Sequence, residues 1–174
     1  MTTQTSEEAT IRAFVLGRLP ADLFDGDPEI VIDREEITIR GPIPEPERRE
    51  GSTDAEQAAL VEGRIAEFRE RTREQRIRVA REVEHRYGRK VAWGATCGER
   101  SALFTHLAVP VMTRLRQPER LVLDTLVEAG VARSRADALA WCVRLVGRNS
   151  EEWLGRLREA MTHVEKVRAE GPSA

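Results

Sequence analysis

Helical spacing of hydrophobic residues begins near the amino terminus. Ser6 can cap a helix there, and the acidic residues Glu7 and Glu8 suit its positive end. Pro20 marks the end of the pattern, because proline lacks the N–H that a helix interior needs. The apolar stripe of this predicted helix consists of Ile11, Phe14, Val15 and Leu19.

The hydrophobic period changes to two in the stretch EIVIDREEITIRG, Glu29–Gly41. Isoleucines alternate with other residues on both sides of the polar tip DREE. This pattern predicts a β-hairpin. Two strands alone are only marginally stable in water, so the hairpin needs a surface on which to pack. The proline-rich segment 41–52 that follows is predicted to be a linker.

A long charged helix is predicted next. Thr53 and Glu56 are spaced as a capping box, and Gly88 is placed to end the helix. Its apolar stripe is narrow, and opposite charges recur four residues apart, which favours packing on a partner through one seam. Residues 54–88 are therefore a possible protein-binding surface, with a nucleic-acid arm or a solvated charged face as alternatives. KVAWGATCG, Lys90–Gly98, is predicted to be a strand or a turn.

Arginines fall at alternate positions in the stretch VMTRLR. We predict a short strand over Val111–Arg116, in which Met112, Arg114 and Arg116 share one face. Pro118 suits the first turn of the helix that follows, since its missing N–H costs nothing there.

A capped second helix comes after a tight turn. Gly130 ends the first helix, and Ser134 with Asp137 forms a capping box that opens SRADALAWCVRLV. A last helix is predicted after Ser150, with an apolar seam suited to packing or dimerisation. That seam consists of Leu154, Leu157, Met161 and Val164, flanked by Trp153.

The span from Val111 to about Arg148 resembles the ribbon-helix-helix (MetJ/Arc-like) DNA-binding family. The resemblance is carried by VMTRLR, the proline-opened helix, the glycine that ends it and the SRADAL start of the second helix. It covers under a quarter of the chain, and about 110 residues precede a ribbon that the family usually carries near its amino terminus. In this family two chains pair their strands antiparallel, and the ribbon enters the major groove of double-stranded DNA.

The resemblance implies a homodimer and assigns roles to two groups of side chains. The outward residues of the ribbon face bases, where arginine can bind guanine O6 and N7 together, worth about 1–3 kcal/mol of discrimination. Residues at the start of the second helix hold a phosphate against its free N–H groups and positive dipole end. The implied nucleic-acid-binding residues are Met112, Arg114, Arg116, Arg133, Ser134 and Arg135.

Two other interpretations of Val111–Arg116 stay open. Alternating arginine on an edge strand can serve to prevent aggregation. Earlier residues could also supply a strand that pairs with this segment within one chain, which would remove the intermolecular ribbon.

Charge and reactive side chains narrow the function further. The net charge is −2 with 33% charged residues, so any nucleic-acid binding has to be local. Cysteine and histidine are scattered without metal spacing, and we expect no metal, no cofactor and no catalysis. Cys97, with His106 nine residues on, is the one candidate for a thiol nucleophile. Apolar runs are too short to cross a bilayer and the acidic amino terminus is unlike a signal peptide, so we expect a cytoplasmic protein without a membrane partner.

We therefore predict a mostly helical α+β protein. The expected function is a dimeric DNA-binding protein, a transcriptional regulator that reads the major groove with a two-stranded ribbon. The alternative is a non-catalytic protein–protein adaptor that uses its long and C-terminal helices. The predicted regions are 1–52 (helix, hairpin and linker), 53–110 (long helix and strand or turn), 111–148 (ribbon-helix-helix-like module) and 149–174 (amphipathic helix and tail).

Overall fold

The computed structural model describes residues 2–170, without the side chains of residues 2–5, 165 and 167–169. It contains six helices and one four-stranded sheet, with 55% of residues helical and 14% in strands. The prediction of a mostly helical α+β fold is therefore confirmed. No helix within residues 2–170 is both long and apolar enough to span a membrane.

The chain divides into two compact units, which we call the N-terminal unit (Thr3–Val109) and the C-terminal unit (from Pro110 onward). The N-terminal unit holds three helices and all of the strands. Its elements are α1 (Thr2–Arg18), β1 (Glu29–Ile32), β2 (Glu36–Pro42), α2 (Asp54–Arg71), α3 (Arg73–Tyr87), β3 (Lys90–Cys97) and β4 (Arg100–Leu103). The C-terminal unit contains α4 (Gln117–Glu128), α5 (Arg135–Asn149) and α6 (Glu151–Glu170).

The strands lie in the order β1-β2-β3-β4. β1 and β2 form the antiparallel hairpin that the alternation predicts, with Ile30 opposite Ile39. Asp33 shapes its turn, because its Oδ1 accepts the backbone N–H groups of Glu35 at 2.9 Å and Glu36 at 2.7 Å. β3 and β4 form a second antiparallel pair.

A parallel pair joins the two hairpins. β2 runs parallel to β3, with Ile37 opposite Val91 and Ile39 opposite Trp93. Parallel strands need a long connection, and α2 with α3 supplies it. The predicted hairpin thereby gains the packing surface that it needs.

The core of the N-terminal unit lies on one face of the sheet. Alternate residues of β2 and β3 point to that face, among them Ile37 and Ile39, which are fully buried. Phe68 of α2 sits at its centre, 1% exposed. Each such side chain contributes about 1.5–3 kcal/mol through burial. The helices add Ile11, Val15, Val61, Ile65, Val79 and Val83 to this core.

The predicted long helix is interrupted, which corrects the expectation of one unbroken element. Its capping box at Thr53 and Glu56 forms as predicted, and Gly88 ends it with a left-handed backbone, φ +69°. Between them, Thr72 separates α2 from α3. Its hydroxyl donates to the Phe68 carbonyl at 2.6 Å, a bond that competes with regular helix geometry and bends helices.

Two smaller predictions need correction. α1 begins at Thr2, so Ser6 lies inside the helix and does not cap it. The predicted linker 41–52 contributes its first residues to β2, which runs to Pro42. Gly41 is tied to the core, since a Cβ there would lie 2.2 Å from the Phe24 ring.

The C-terminal unit has a small core. Buried residues come from α4, α5 and the turn between them, and the half-buried side chains around them are mostly aliphatic. Ser134 caps α5, accepting the Asp137 N–H at 3.3 Å, but the reciprocal bond of the predicted capping box does not form, because the Asp137 carboxylate accepts the Arg133 N–H. The three buried residues are Leu123, Ala132 and Ala138.

The strand predicted over Val111–Arg116 is not formed in the single chain. This segment has neither helix nor strand structure. The physical reason is that a strand needs a neighbouring ladder, and every strand among residues 2–170 pairs only within the four-stranded sheet. The intrachain pairing that the sequence left open is therefore absent as well.

Candidate nucleic-acid interface

The segment Val111–Arg116 is the most exposed apolar stretch of the C-terminal unit. Val111 is 87% exposed and Met112 is 96% exposed. Within the described chain, residues 111–114 make no backbone–backbone hydrogen bond. Unpaired N–H and C=O groups beside exposed apolar side chains are typical of a strand edge available for pairing.

The two faces of this segment differ in burial. Leu115 is half-buried against the small core around Leu123. Its neighbours Arg114 and Arg116 are exposed, and neither has a carboxylate within 4 Å in the described chain. At the end of the segment that meets α4, the apolar side chain therefore points inward and the basic side chains point outward, as the sequence predicts.

The start of α4 fixes the end of the segment. Arg116 occupies the N-cap with an extended backbone, φ −78° and ψ 172°, and its side chain makes no capping bond. Pro118 lies in the first turn, as predicted. Arg120 Nη1 donates to the Leu115 carbonyl at 2.8 Å and so holds the preceding residue in place.

The N-terminus of α5 already binds a carboxylate of its own chain, that of Asp137. Asp137 Oδ2 accepts the Arg133 backbone N–H at 3.1 Å and its Nε–H at 3.3 Å. The backbone hydrogen bond from Arg133 is the main cause that lowers the pKa of the Asp137 carboxyl. Ser134 uses its hydroxyl for the cap. A phosphate at this helix end would compete with the Asp137 carboxylate.

Arg135 is also engaged. Its Nε donates to Asp124 Oδ1 at 2.6 Å and its Nη2 to Oδ2 at 2.7 Å, a bidentate pair between α5 and α4. This hydrogen bonding lowers the pKa of Asp124 and raises that of Arg135. Arg135 is exposed and Asp124 is half-buried, so another anion can reach the guanidinium and compete with the carboxylate.

One residue from each predicted group, Met112 and Arg135, lines a common surface depression, whereas Arg114, Arg116, Arg133 and Ser134 do not line it. This depression, about 390 Å³, runs from the segment at Met112 to the start of α5 at Arg135. Its lining residues are Val111, Met112, Thr113, Leu115, Arg120, Leu123, Arg135, Ala136 and Leu139.

Sequence reasoning missed the ion pairs of two carboxylates near the start of α5: it named Asp137 only as the capping-box partner of Ser134, and it did not name Asp124. Asp137 had a local signal, because it lies four residues after Arg133, a spacing that allows an ion pair in a helix. Asp124 had none, since eleven residues separate it from Arg135. Only the packing of α4 against α5 brings those two together.

The other candidates do not form a reactive centre. Cys97 is buried, and its thiol donates to the Pro44 carbonyl at 3.8 Å. Burial is the main cause that raises its pKa, whereas a nucleophilic cysteine needs a lowered one. Groups of histidine, cysteine, aspartate and glutamate that could hold a metal ion are absent from the described residues.

The apolar stripe of residues 54–88 is covered by the chain itself. Val61, Ile65, Phe68 and Val83 lie in the core against the sheet. Ile77, at 39% exposure, is the large apolar side chain that α2 and α3 leave exposed. The seam that the sequence predicts as a partner surface is therefore used for folding.

Comparison with known proteins places these two units in one family. The family described as "Rv1265-like protein, N-terminal domain" matches residues 9–103, more than half of the chain. The chain belongs to the Rv1265-like family. The description "Mb1296 C-terminal domain" matches residues 116–168, so the gap between the two Rv1265-like matches contains the junction of the two structural units.

Two relatives of this chain are mycobacterial proteins. The chain is 59% identical over 156 residues to Rv1265 of Mycobacterium tuberculosis (strain ATCC 25618 / H37Rv) and to Mb1296 of Mycobacterium bovis. Each match covers 90% of this chain and 67% of the relative. No solved structure matches the chain.

Proposed function

We propose that this protein is a dimeric DNA-binding protein that regulates transcription. Two copies pair their Val111–Arg116 segments into an antiparallel ribbon. The ribbon enters the major groove, with Met112, Arg114 and Arg116 facing the bases. Arg133, Ser134 and Arg135 hold the DNA backbone at the start of α5. The observation that carries the proposal is the exposed, unpaired backbone of this apolar and basic segment.

The apolar surface of α4 and α5 supports a second copy as the partner. A stable interface buries about 800 Å² on each side, more than a short ribbon supplies. Leu121 and Val122 of α4 are 56% and 55% exposed, and Val143 and Val146 of α5 are 65% and 53% exposed. Covering these side chains would extend the ribbon into an interface of ordinary size.

The ion pairs at the start of α5 are compatible with phosphate binding. The side chains of Arg133 and Arg135 are 93% and 60% exposed in their pairs. Because the arginine partner of each pair is exposed, a phosphate can compete with Asp137 or Asp124 for its N–H groups. Release of counterions from DNA then drives binding.

Binding of a mixed-sequence DNA duplex, titrated over a range of salt concentrations, tests the proposal. We expect Arg114→Ala with Arg116→Ala to weaken binding at least about ten-fold and to flatten the salt dependence, because the two guanidinium charges in the groove no longer displace counterions from the DNA. Arg78→Ala with Arg81→Ala is the matched control. It removes the same charge from exposed positions in the N-terminal unit and leaves affinity and slope nearly unchanged.

If the two double variants lose the same amount of DNA affinity, the loss reflects net charge alone, and this result contradicts the ribbon. Absence of any duplex binding by the unmodified protein at low salt would reject the proposal altogether.

A specific observation also favours the adaptor as a second candidate function. Along α6, Trp153, Leu157, Met161 and Val164 are between 40% and 54% exposed. Their spacing of four, four and three residues places them on one side of the helix. An amphipathic helix of this kind suits a groove on another protein. Leu157→Asp with Met161→Asp should abolish co-purification of a partner under this alternative while DNA binding stays absent.

A further inference from the structure

Arg76 is a buried charge without a carboxylate partner. This α3 residue is 7% exposed, and no acidic side chain lies within 4 Å of its guanidinium among the described residues. Arginine is rarely buried unless it is paired, because removing a charge from water is costly. Its surroundings therefore need an explanation.

The protein supplies acceptors for only some of the N–H donors of Arg76. Arg76 Nε donates to Thr72 Oγ1 at 3.0 Å, and Nη2 donates to the Arg69 carbonyl at 2.5 Å. A guanidinium carries five N–H donors, so three are left. Nη1 has no protein acceptor in the described chain, and it is not among the buried atoms that lack a partner. Nη1 is therefore not fully enclosed, and its N–H groups are those left for a ligand.

The neighbours of Arg76 add positive charge. Burial is the main cause that lowers its pKa, and the charges of Arg69 and Arg73 act in the same direction, with Glu70 opposing them. The guanidinium still keeps its proton at neutral pH. Arg69 and Arg73 are exposed and form no ion pair within the part of the chain that the structure describes.

An aromatic ring fixes this cluster in space. The Cζ atom of Arg76 lies 5.0 Å from the centroid of the Phe104 ring, and that of Arg69 lies 5.9 Å from it. Arg69 and Phe104 also line a surface depression of about 320 Å³. Arg100 lines the same depression, but it is already hydrogen-bonded to Glu62. Both guanidinium groups thus contact the same ring. Glu62 and Glu70 also line the depression, and Glu62 is the partner of Arg100.

We propose that Arg69, Arg73 and Arg76 form a binding site for a phosphate-type oxyanion, held at the junction of α2 and α3. The charges of Arg69 and Arg73 act on Arg76 together and outnumber that of Glu70, so a dianion such as hydrogen phosphate neutralises the excess. Guanidinium groups bind phosphate oxygens through paired, charge-assisted hydrogen bonds. The site lies in the N-terminal unit and is independent of the proposed DNA-binding segment.

Inorganic phosphate is the probe, titrated at constant ionic strength with chloride as the replacement anion. Arginine Nε–H resonances report binding in the NMR spectrum. We expect a saturable shift in the unmodified protein and an apparent Kd at least about ten-fold higher in Arg69→Gln with Arg73→Gln. Both substitutions are at exposed positions, so the fold is retained, which circular dichroism checks. Arg78→Gln with Arg81→Gln removes equal charge from α3 and should keep the Kd.

Three results would overturn the site. They are a linear, non-saturating response in the unmodified protein, an unchanged Kd in the Arg69 and Arg73 variant, and an equal rise of Kd in the control variant. Dimethyl phosphate, a monoanion, separates a free phosphate group from the diester of a nucleic-acid backbone. We expect it to bind at least about ten-fold more weakly than inorganic phosphate, and equal affinity would contradict a site for a dianion.

Discussion

The two units of this molecule use the same local signals but differ in how completely they bury their apolar residues. The N-terminal unit places side chains from all of its helices and from its sheet in one closed core. The C-terminal unit buries only Leu123, Ala132 and Ala138 among its described residues. It leaves Val111, Met112 and Val143 more than 60% exposed. Exposed apolar surface on that scale marks an interaction site in a soluble protein.

The comparison separates helix formation from core formation. The Thr53 and Ser134 side chains each accept a backbone N–H in the first turn of their helix, and Thr53 also has the reciprocal bond of a capping box. The sheet gives α2 a surface to cover, whereas α4 and α5 have mainly each other. We infer that the N-terminal unit is stable as a single copy and that the C-terminal unit reaches full stability only in a dimer.

The largest effect is expected at the closed core. Phe68→Ala should lower the free energy of unfolding of the N-terminal unit by about 3–5 kcal/mol, because it leaves a cavity among packed side chains. Denaturant unfolding measures this loss, which should not depend on protein concentration. Ile77→Ala, a change at a 39% exposed position on α3, is the control and should cost far less. Similar losses in both variants would contradict a closed core.

Dimerisation through the C-terminal unit should weaken when a charge is placed on the inner face of the proposed ribbon. Val111→Asp places a carboxylate where the second copy is proposed to pack, and we expect the dimer dissociation constant to rise at least about ten-fold, or 1.4 kcal/mol. Sedimentation equilibrium gives this constant. Val31→Asp, at a 54% exposed position in the N-terminal unit, should leave it unchanged. Dimerisation that is insensitive to Val111→Asp would remove the distinction between the two units.

Helix caps allow the two units to be compared by matched substitutions. Thr53→Ala and Ser134→Ala each remove an N-cap side chain, and each should cost about 0.5–2 kcal/mol. We expect the first loss to be independent of protein concentration and the second to be larger in dilute protein, where the dimer is less populated. Thermal unfolding at two concentrations checks this. If the stability losses of the two variants depend equally on protein concentration, the expected difference between the units is contradicted.

The smallest effect concerns how the stability of the folded state depends on pH in the acid range. The hydrogen bond from Arg135 lowers the pKa of Asp124 below its ordinary value of 3.8, so the pair stabilises the folded state above that value. This stabilisation is lost as the pH falls through the lowered pKa. In an NMR titration, Arg135→Gln should raise the Asp124 pKa towards 3.8. An unchanged Asp124 pKa would mean that the pair does not persist in solution.

Local patterns in the sequence predicted most of the elements, though not β4, and did not predict their long-range pairing. The hairpin over Glu29–Gly41 and the caps at Thr53, Gly88 and Ser134 follow from neighbouring residues, and all of them form. The parallel pairing of β2 with β3 joins segments more than fifty residues apart, which no local pattern specifies. The break at Thr72 was missed because a threonine within a helical stripe looks like an ordinary core position.

The candidate site shows the same limit. The order of strand, proline, helix, glycine and capped helix predicted where α4 and α5 lie. The pattern could not show that Asp124 binds Arg135, because that contact depends on how the two helices pack. Whether Val111–Arg116 becomes a strand depends on a second chain, which the sequence of one chain does not describe.

Hydrogen exchange of the backbone amides in Val111–Arg116 tests the central claim most directly. In a single copy, residues 111–114 have no backbone partner among residues 2–170 and should exchange at the rate of an unfolded peptide. In an antiparallel ribbon, alternate residues donate to the other strand. We therefore predict protection of alternate amides that grows with protein concentration. Unprotected exchange across the whole segment, at a concentration where the protein is dimeric, would contradict the ribbon.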